Sequence, residues 1–274
     1  ALQASAPAPI ATGAGKGQGR VVAVISPKGG VGKTTTSTNL AVGLAMKAPG
    51  STVLVDVDLH FGDVASALDL SPTYTLPDVA LGASMRDSLA VKSVLTQHRS
   101  GLLVVPGSDS PAAADAVTAD DIRQLLSLLR QQFQYVVVDT APGLSDHTLA
   151  VLDEAETLVM VTSLDVPGVR GMRKEIDTLA ELGLLAPRRF VVLNFVDDSR
   201  GLTLADVQAT IKAKVDVVVP LAKEVPLSVN RGVPLVEQGG RDPVTVKFRT
   251  LVDLVAPGDW PTPSKKGLLA RRAV

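Results

Sequence analysis

Residues 26–36, SPKGGVGKTTT, combine glycines, two lysines and a run of threonines directly after an apolar segment. Glycines let a ligand approach the backbone closely, and amides at the start of a helix favour a bound anion. The stretch nearly matches the phosphate-binding pattern GxxxxGK[ST], but Pro27 stands at the first glycine and Lys28 follows it. These residue types predict a nucleotide phosphate site with one lysine more than the pattern requires.

The pattern assigns roles within this stretch. Lys33 is expected to reach the β- and γ-phosphates, and the Thr34 hydroxyl is expected to bind Mg²⁺. The alternative is a glycine turn that merely precedes a helix. The order of strand, glycines, lysine and helix argues against this alternative. The predicted phosphate cradle comprises Gly29, Gly30, Val31, Gly32, Lys33, Thr34 and Thr35.

KGGVGKT resembles the deviant Walker A motif of the MinD/ParA group of P-loop ATPases, in which the early lysine is a signature residue. The resemblance covers about residues 21–256. It implies ATP and ADP as ligands, Mg²⁺ as cofactor and a homodimer formed through bound ATP. It also implies that Lys28 joins Lys33 in catalysis by reaching phosphates bound to the partner protomer, where a cation would stabilise developing charge. An exposed loop lysine without a role is the alternative for Lys28.

Aspartates follow two apolar segments. In VLVDVD, Asp56 and Asp58 are two residues apart, so on an extended strand their side chains point to one face. Asp139 follows the apolar residues of YVVVDT. The same resemblance implies that Asp58 positions or activates the attacking water, that Asp56 is structural, and that Asp139 holds Mg²⁺ through water. A carboxylate that caps a loop is the alternative for each.

Two later strand ends are candidates for base recognition. The resemblance implies that Asn194, in FVVLNF, contacts the adenine edge, and that the loop starting at Pro220 flanks the base. A side-chain amide suits a purine because it donates and accepts in one plane. An Asx turn at the strand end is the alternative for Asn194.

One longer match narrows the branch of the family. Residues 58–70, DLHFGDVASALDL, resemble the CpaE/TadZ pilus-assembly ATPases, and the absence of cysteine argues against iron–sulfur relatives. The resemblance implies a Mg²⁺-dependent ATPase, slow without a partner, that helps to position or assemble a type IVb (Tad/Flp) pilus or secretion machine. Components of that machine are then the expected partners.

Two alternative functions stay open. One is a DNA-partition ATPase of the ParA kind, which would need a basic surface for phosphate contacts. Nucleic acid is the less favoured partner because the formal net charge is -1. The other is a nucleotide-gated scaffold with little turnover. Candidate DNA contacts near the C-terminal helix are Arg231, Arg241, Lys247 and Arg249.

The segments around these residues predict an α/β fold. Short, nearly continuous apolar runs alternate with helical stretches, which is typical of a parallel sheet covered on both faces. We therefore predict a three-layer P-loop NTPase with a mostly parallel central sheet flanked by helices. The predicted strands are 21–25, 52–57, 102–106, 135–140, 157–162, 190–195 and 215–220, and the helices lie near 33–47, 118–132, 145–154, 168–183, 203–213 and 242–255.

Composition divides the chain into three parts. Residues 1–20 are mostly Ala, Pro and Gly and predict a flexible linker that follows a further domain, with a natural disordered arm as the alternative, and 21–256 form the predicted ATPase domain. Residues 257–274 predict a disordered basic tail, with a short membrane-touching helix and weak membrane contact as the alternative. The lack of cysteine and of a signal-peptide pattern fits a cytoplasmic protein. The family resemblance implies a location at a cell pole or peripheral to the inner face of the membrane.

Overall fold

The computed structural model describes residues 18–86, 90–197, 199 and 201–260. Its strands form one sheet in the order β3-β4-β2-β5-β1-β6-β7-β8. The pair β3–β4 is antiparallel, and the other neighbouring pairs are parallel. The strands are β1 Arg20–Ile25, β2 Thr52–Asp56, β3 Thr96–Gln97, β4 Leu103–Val105, β5 Tyr135–Asp139, β6 Thr157–Ser163, β7 Arg188–Val196 and β8 Val217–Pro220.

Helices cover both faces of the sheet. Helices α3 to α8 contribute to one hydrophobic cluster, and α1, α2, α10 and α11 contribute to the other. Two short 3-10 helices lie at Ala83–Arg86 and Ala90–Val94. The α-helices are α1 Lys33–Lys47, α2 Val64–Ala67, α3 Leu76–Ala80, α4 Pro111–Asp115, α5 Ala119–Leu129, α6 Asp146–Glu154, α7 Val166–Glu181, α8 Leu204–Ile211, α9 Glu224–Asn230, α10 Leu235–Gln238 and α11 Pro243–Val255.

The central strands are apolar on both sides because both sides are buried. In β1, Val21, Ala23 and Ile25 face one cluster, whereas Val22 and Val24 face the other. This alternation follows the two-residue period of a strand and explains the continuous apolar runs in the sequence. The predicted three-layer, mostly parallel fold is confirmed.

Three helices have a capping box at their N-terminus, whereas α1 has no side-chain cap. Helices α3, α5 and α8 begin with a threonine whose hydroxyl and amide exchange hydrogen bonds with an aspartate three residues later. Such a capping box satisfies backbone donors that the helix leaves unpaired. Helix α1 instead begins after Gly32, which is in the left-handed conformation, and its first turn contains no acidic residue. The free amides of α1 therefore lie beside the glycines of the preceding loop.

The structure differs from the sequence-based prediction at its edges. The short edge strand β3 was not predicted, because two residues carry too weak a pattern. The folded chain extends to Trp260, within the predicted tail, since the Trp260 indole donates to Asp253 at 2.9 Å and lies against Lys47 and Arg249. Most of the linker and tail predictions fall outside the described residues. Among the described residues, no helix is long and apolar enough to span a membrane.

Candidate functional site

Residues 26–32 connect β1 to α1 and are called the phosphate loop below. Gly30 and Gly32 have φ angles of 74° and 92°, in the left-handed region. A Cβ at Gly32 would overlap the side-chain amide of Asn194, whereas one at Gly30 would meet no described atom within 4 Å outside its chain neighbours. The loop therefore requires glycine at position 32 and has open space beside position 30, where an anion could lie.

Lys33 is the first residue of α1 and is only 7% exposed. Burial lowers the pKa of its ammonium group, and three carboxylates oppose this shift. In order of effect, they are Asp139, Asp58 and Glu175. These carboxylates counteract the loss of charge that burial favours, and a charged lysine at the start of a helix is a group that binds phosphate.

Thr34 and Asp139 bring a hydroxyl and a carboxylate together where α1 meets β5. The Thr34 hydroxyl donates to Asp139 Oδ2 at 2.7 Å. Asp139 Oδ1 is buried and has no hydrogen-bond partner among the described residues. Burial raises the pKa of Asp139 to about 6, while the Thr34 hydroxyl, Lys33 and the Ser37 hydroxyl oppose the rise. By distance and angle, the Ser37 hydroxyl donates to the Thr34 carbonyl, at 3.1 Å, and not to Asp139 Oδ1. An unsatisfied carboxylate oxygen beside a hydroxyl fits a hard cation such as Mg²⁺.

The protein alone does not supply a complete metal cage. Within the described part of the chain, no group of three or more His, Asp or Glu side chains could hold a metal ion. Mg²⁺ is commonly held by one or two protein oxygens together with substrate phosphates and water. Thr34 and Asp139 therefore suit a metal that arrives with a nucleotide.

The first turns of α1 carry polar side chains that hydrogen-bond to backbone carbonyls four residues earlier. The side chains of Thr36, Thr38 and Asn39 each donate to a carbonyl four residues earlier, at 2.7 to 2.8 Å. Asn39 also accepts a hydrogen bond from the Val236 amide at 3.1 Å, which ties α1 to α10. These bonds fix the start of α1 relative to the fold, so the positions of its free amides are fixed as well.

Asp56 ends β2 directly opposite Asp139 and is fully buried. Its oxygens accept hydrogen bonds from the amides of Asp58 and Val64, each at 3.2 Å. A Cβ at Gly62 would overlap the carboxylate. Burial, and then the charge of Asp139, raises the pKa of Asp56 well above its usual range. The Asp56 carboxylate therefore organises the loop after β2, and Gly62 covers it.

Asp58 lies in that same loop and is half-buried. Burial raises the pKa of its carboxyl group, and Lys33 lowers it. In return, Asp58 raises the pKa values of Asp139 and Lys33. The structure thus brings the predicted residues Lys33, Asp58 and Asp139 into one electrostatic environment.

The segment that follows β5 is bonded to the phosphate loop. The Gly143 amide donates to the Ser26 carbonyl at 3.0 Å, and the Ser26 hydroxyl donates to the Lys28 carbonyl at 2.7 Å. A shift of the segment after β5 is therefore expected to displace the phosphate loop, and a shift of the loop is expected to displace that segment.

The Lys28 side chain is 53% exposed, and its ammonium lies 3.9 Å from Asp165 Oδ1. An ion pair with this much exposure contributes little to stability, about 0–1 kcal/mol. The ammonium can consequently exchange this contact for another at small cost.

Comparison with known proteins identifies the family. The family model AAA_31, described as an AAA domain, matches residues 19–185. The chain belongs to this family. The septum site-determining protein MinD of Thermotoga maritima is 26% identical over 240 residues, which are 85% of this chain and 86% of that protein. MinD of Bacillus subtilis is 30% identical over 176 residues, 64% of each chain. The resemblance to MinD/ParA-type P-loop ATPases is confirmed.

Solved structures show the same fold. MinD of Pyrococcus horikoshii, complexed with Mg-ADP, superposes with a TM-score of 0.75 at 21% identity and covers 87% of this chain and 96% of that one. A ParA family ATPase from Chlorobium tepidum gives a TM-score of 0.79 at 19% identity, covering 85% and 98%. Both the MinD and the ParA type therefore share the architecture of this AAA_31 chain.

Asn194 and Pro220 lie on neighbouring strands of this AAA_31 fold. The buried Asn194 side chain donates to the Val31 carbonyl at 2.9 Å and accepts from the Phe195 amide at 2.9 Å. Pro220 ends β8 and pairs with Val196 of β7. In this structure the Asn194 amide supports the phosphate loop, and its contact with a base stays a prediction.

Glu175 was not predicted from the sequence as a functional residue. This buried acid lies on α7, in a stripe whose other members include Met172 and Leu179. An acid at an apolar position of a helical pattern is a signal that periodicity alone could have revealed.

His60 and His98 each have a polar side-chain partner within the fold. His60 lies 2.9 Å from Asp115 at the surface. His98 is buried, its Nδ1 lies 2.8 Å from the Ser100 hydroxyl, and burial lowers its pKa. Both histidines therefore make contacts within the fold.

Proposed function

We propose that this chain is an ATP-hydrolysing switch that dimerises with ATP bound and helps to position or assemble a type IVb (Tad/Flp) pilus or secretion machine. The observation that carries the nucleotide part is the contact of Thr34 with the partly unsatisfied Asp139, beside the buried Lys33. A glycine loop, a lysine, a hydroxyl and an acid are the parts with which P-loop NTPases hold nucleotide and metal.

In this proposal, ATP and ADP lie along the phosphate loop with the amides of residues 29–35 facing the phosphates. Thr34 and, through water, Asp139 hold Mg²⁺, which when bound neutralises charge on the β- and γ-phosphates. Lys33 stabilises the charge that develops on the γ-phosphoryl group. Asn194 and Pro220 flank the base. The Mg-ADP in the Pyrococcus horikoshii MinD structure supports this choice of ligands.

Asp58 positions or activates the attacking water in the proposed mechanism. Its half-buried carboxyl group acts on Lys33 and Asp139 without being enclosed as Asp56 is. Asp58→Ala should retain ATP binding and dimerisation but lose hydrolysis, measured by phosphate release, while the nearby Asp63→Ala serves as a matched control. Hydrolysis at the wild-type rate by Asp58→Ala would exclude this role.

Lys28 acts across the dimer in the proposed mechanism. Its exposed ammonium and weak contact with Asp165 leave it able to reach a second protomer. Lys28→Ala and Asp58→Ala should each be inactive, but an equimolar mixture should regain about a quarter of the wild-type rate, because half of the dimers combine one intact Asp58 with the partner's intact Lys28. A mixture as inactive as its components would mean that Lys28 acts within its own protomer.

The pilus or secretion role rests on the resemblance of residues 58–70 to the CpaE/TadZ ATPases. In the structure, this stretch is the loop built around Asp56, and it presents Phe61 with 85% exposure. An exposed aromatic beside the nucleotide site suits a partner that senses nucleotide state. Deleting the gene should abolish pilus or secretion assembly, and Lys33→Ala should fail to restore it. Normal assembly in the deletion strain would contradict the role.

A DNA-partition function is the second candidate, because the fold is shared with a ParA family ATPase. Of the basic residues suggested for DNA contacts, Arg231, Arg241 and Lys247 are exposed, whereas Arg249 lies over Trp260. Salt-sensitive binding of the ATP-loaded protein to random duplex DNA would favour this function. Absence of binding at low salt would remove it.

A nucleotide-gated scaffold is the remaining candidate. It would bind ATP and partners through the same site but release no phosphate with any partner or lipid. The unsatisfied Asp139 oxygen and the accessible Asp58 favour turnover instead. Phosphate release measured alone, with anionic vesicles and with pilus components separates the two functions. We place the switch in the cytoplasm, at a pole or the inner face of the membrane, and expect slow turnover without a partner.

A further inference from the structure

Glu175 is a buried acid that the proposed mechanism does not use. Its side chain is 5% exposed, and neither carboxylate oxygen has a hydrogen-bond partner among the described residues. Met172 and Leu179, its neighbours in the buried stripe of α7, are apolar. Burial without donors penalises the ionised form and raises the pKa of Glu175 to about 7.

Helix α7 packs against the phosphate loop. A Cβ at Gly171, one turn before Glu175, would lie 3.1 Å from the Pro27 side chain. Through this packing Glu175 acts on Lys33: it raises the pKa of the lysine, and the lysine lowers that of Glu175. Because α7 follows β6 and Asp139 ends β5, the two acids approach the loop from opposite sides of β1.

Lys33 is the charged group that opposes the raised pKa of Glu175. Strand β6, beneath α7, carries no titratable side chain. The other charged groups around α7 are solvent-exposed or engaged elsewhere: Arg170 and Lys174 are exposed, Lys28 lies near Asp165, Arg173 pairs with Asp177, and Asp206 of α8 accepts from Thr203.

We infer that nucleotide binding at the phosphate loop is coupled to the uptake of a proton by Glu175. This inference rests on the proposed function. A nucleotide brings several negative charges to the loop and engages Lys33, so the ionised Glu175 loses its compensating cation and meets additional repulsion. The buried carboxyl group then takes a proton from solvent. Below neutral pH it already carries that proton, whereas at higher pH the proton must be acquired, and nucleotide affinity falls.

Titration calorimetry with Mg-ADP tests the coupling. Wild type, Glu175→Gln and the exposed control Glu181→Gln are compared at several pH values and in two buffers of different ionisation enthalpy. Wild type and Glu175→Gln should bind equally near about pH 6, and the variant should bind about tenfold tighter near about pH 8.5. The buffer dependence should show proton uptake by wild type and by Glu181→Gln at the higher pH, and less by Glu175→Gln.

The two proposals fail in distinguishable ways. If wild type binds Mg-ADP and its pH profile runs parallel to that of Glu175→Gln, the inference is overturned and the proposed function stands. If wild type binds no nucleotide at any pH, both are overturned. Should Glu175→Gln not fold, Glu175→Met replaces it, and wild type binding without proton uptake at about pH 8 overturns the inference without any variant.

Discussion

The ends of strands β2 and β5 lie side by side in the sheet, and each ends in a buried aspartate. Asp56, on β2, accepts two backbone amides and is covered by Gly62. Asp139, on β5, accepts one hydroxyl and keeps one oxygen without a donor among the described residues. Burial raises the pKa of both. Position and burial therefore do not separate a structural acid from a ligand-binding one, whereas the hydrogen-bond partners of each oxygen do.

The largest change in activity is expected at Asp139, the aspartate that ends β5. Asp139→Asn should reduce ATP hydrolysis at least about a hundredfold, because the metal loses its carboxylate. Its unfolding free energy at neutral pH should not fall, since a neutral amide replaces a buried acid and can still accept from Thr34. Phosphate release and urea unfolding measure the two quantities, with the exposed Asp109→Asn as control. A strongly destabilised Asp139→Asn that still hydrolyses ATP would reverse the assignment.

Removal of the Asp56 carboxylate, at the end of β2, should lower the stability of the fold. Asp56→Ala should lower the unfolding free energy by about 3 kcal/mol, because the buried amides of Asp58 and Val64 lose their acceptor. Urea unfolding at constant pH gives this value. A loss below about 1 kcal/mol would show that the carboxylate does not hold the loop together.

Substitutions at two glycines test how closely the protein encloses the Asp56 carboxylate. A Cβ at Gly62 would overlap the carboxylate, whereas one at Gly107 would stand 3.2 Å from Asp56 Oδ2. Gly62→Ala should therefore cost about 2 kcal/mol of stability, and Gly107→Ala less than about 1 kcal/mol. Thermal unfolding of the two variants provides the measurement. Equal losses would mean that the enclosure is looser than described.

The smallest expected effect concerns the pH dependence of metal binding. The pKa of Asp139 is raised to about 6, so the group becomes protonated as the pH falls through that value. Mg-nucleotide affinity should consequently fall about tenfold between about pH 7 and about pH 5, since protonation removes the carboxylate charge that helps to hold the metal through water. Asp139→Asn should lack this part of the pH dependence. Identical profiles for wild type and variant, obtained by calorimetry, would assign the titration to another group.

Much of the fold could be predicted because its signals are local. Each buried parallel strand is an apolar run, and the phosphate loop together with the start of α1 contains glycines, two lysines and threonines within eleven residues, 26–36. The helix predicted near 118–132 is confirmed as α5, and Thr118 and Asp121 form a capping box at its start. Helix α7 begins earlier than predicted, at Val166, because Asp165 caps it and Pro167 suits its first turn.

The remaining features depend on contacts between distant parts of the chain. The short helix α2 begins where the Val64 amide meets Asp56, a pairing that no periodicity shows. The Asn194 amide bonds to Val31, far away in sequence, although the pattern indicated only a polar strand end. Glu175 acts on Lys33 through the packing of α7 on the phosphate loop. Such contacts arise from tertiary packing, which local sequence patterns do not reveal.

The uncapped start of α1 has a consequence for how the ligand affects the fold. Helices α3, α5 and α8 carry their own acidic cap, whereas α1 begins with glycine and has no acid in its first turn. A phosphate bound there would take the place of that acid and complete the helix electrostatically. Nucleotide exchange would then also be a repeated capping and uncapping of α1, and amide hydrogen exchange should slow most at residues 33–35 when nucleotide binds, because the Thr36 amide already donates to the Gly32 carbonyl.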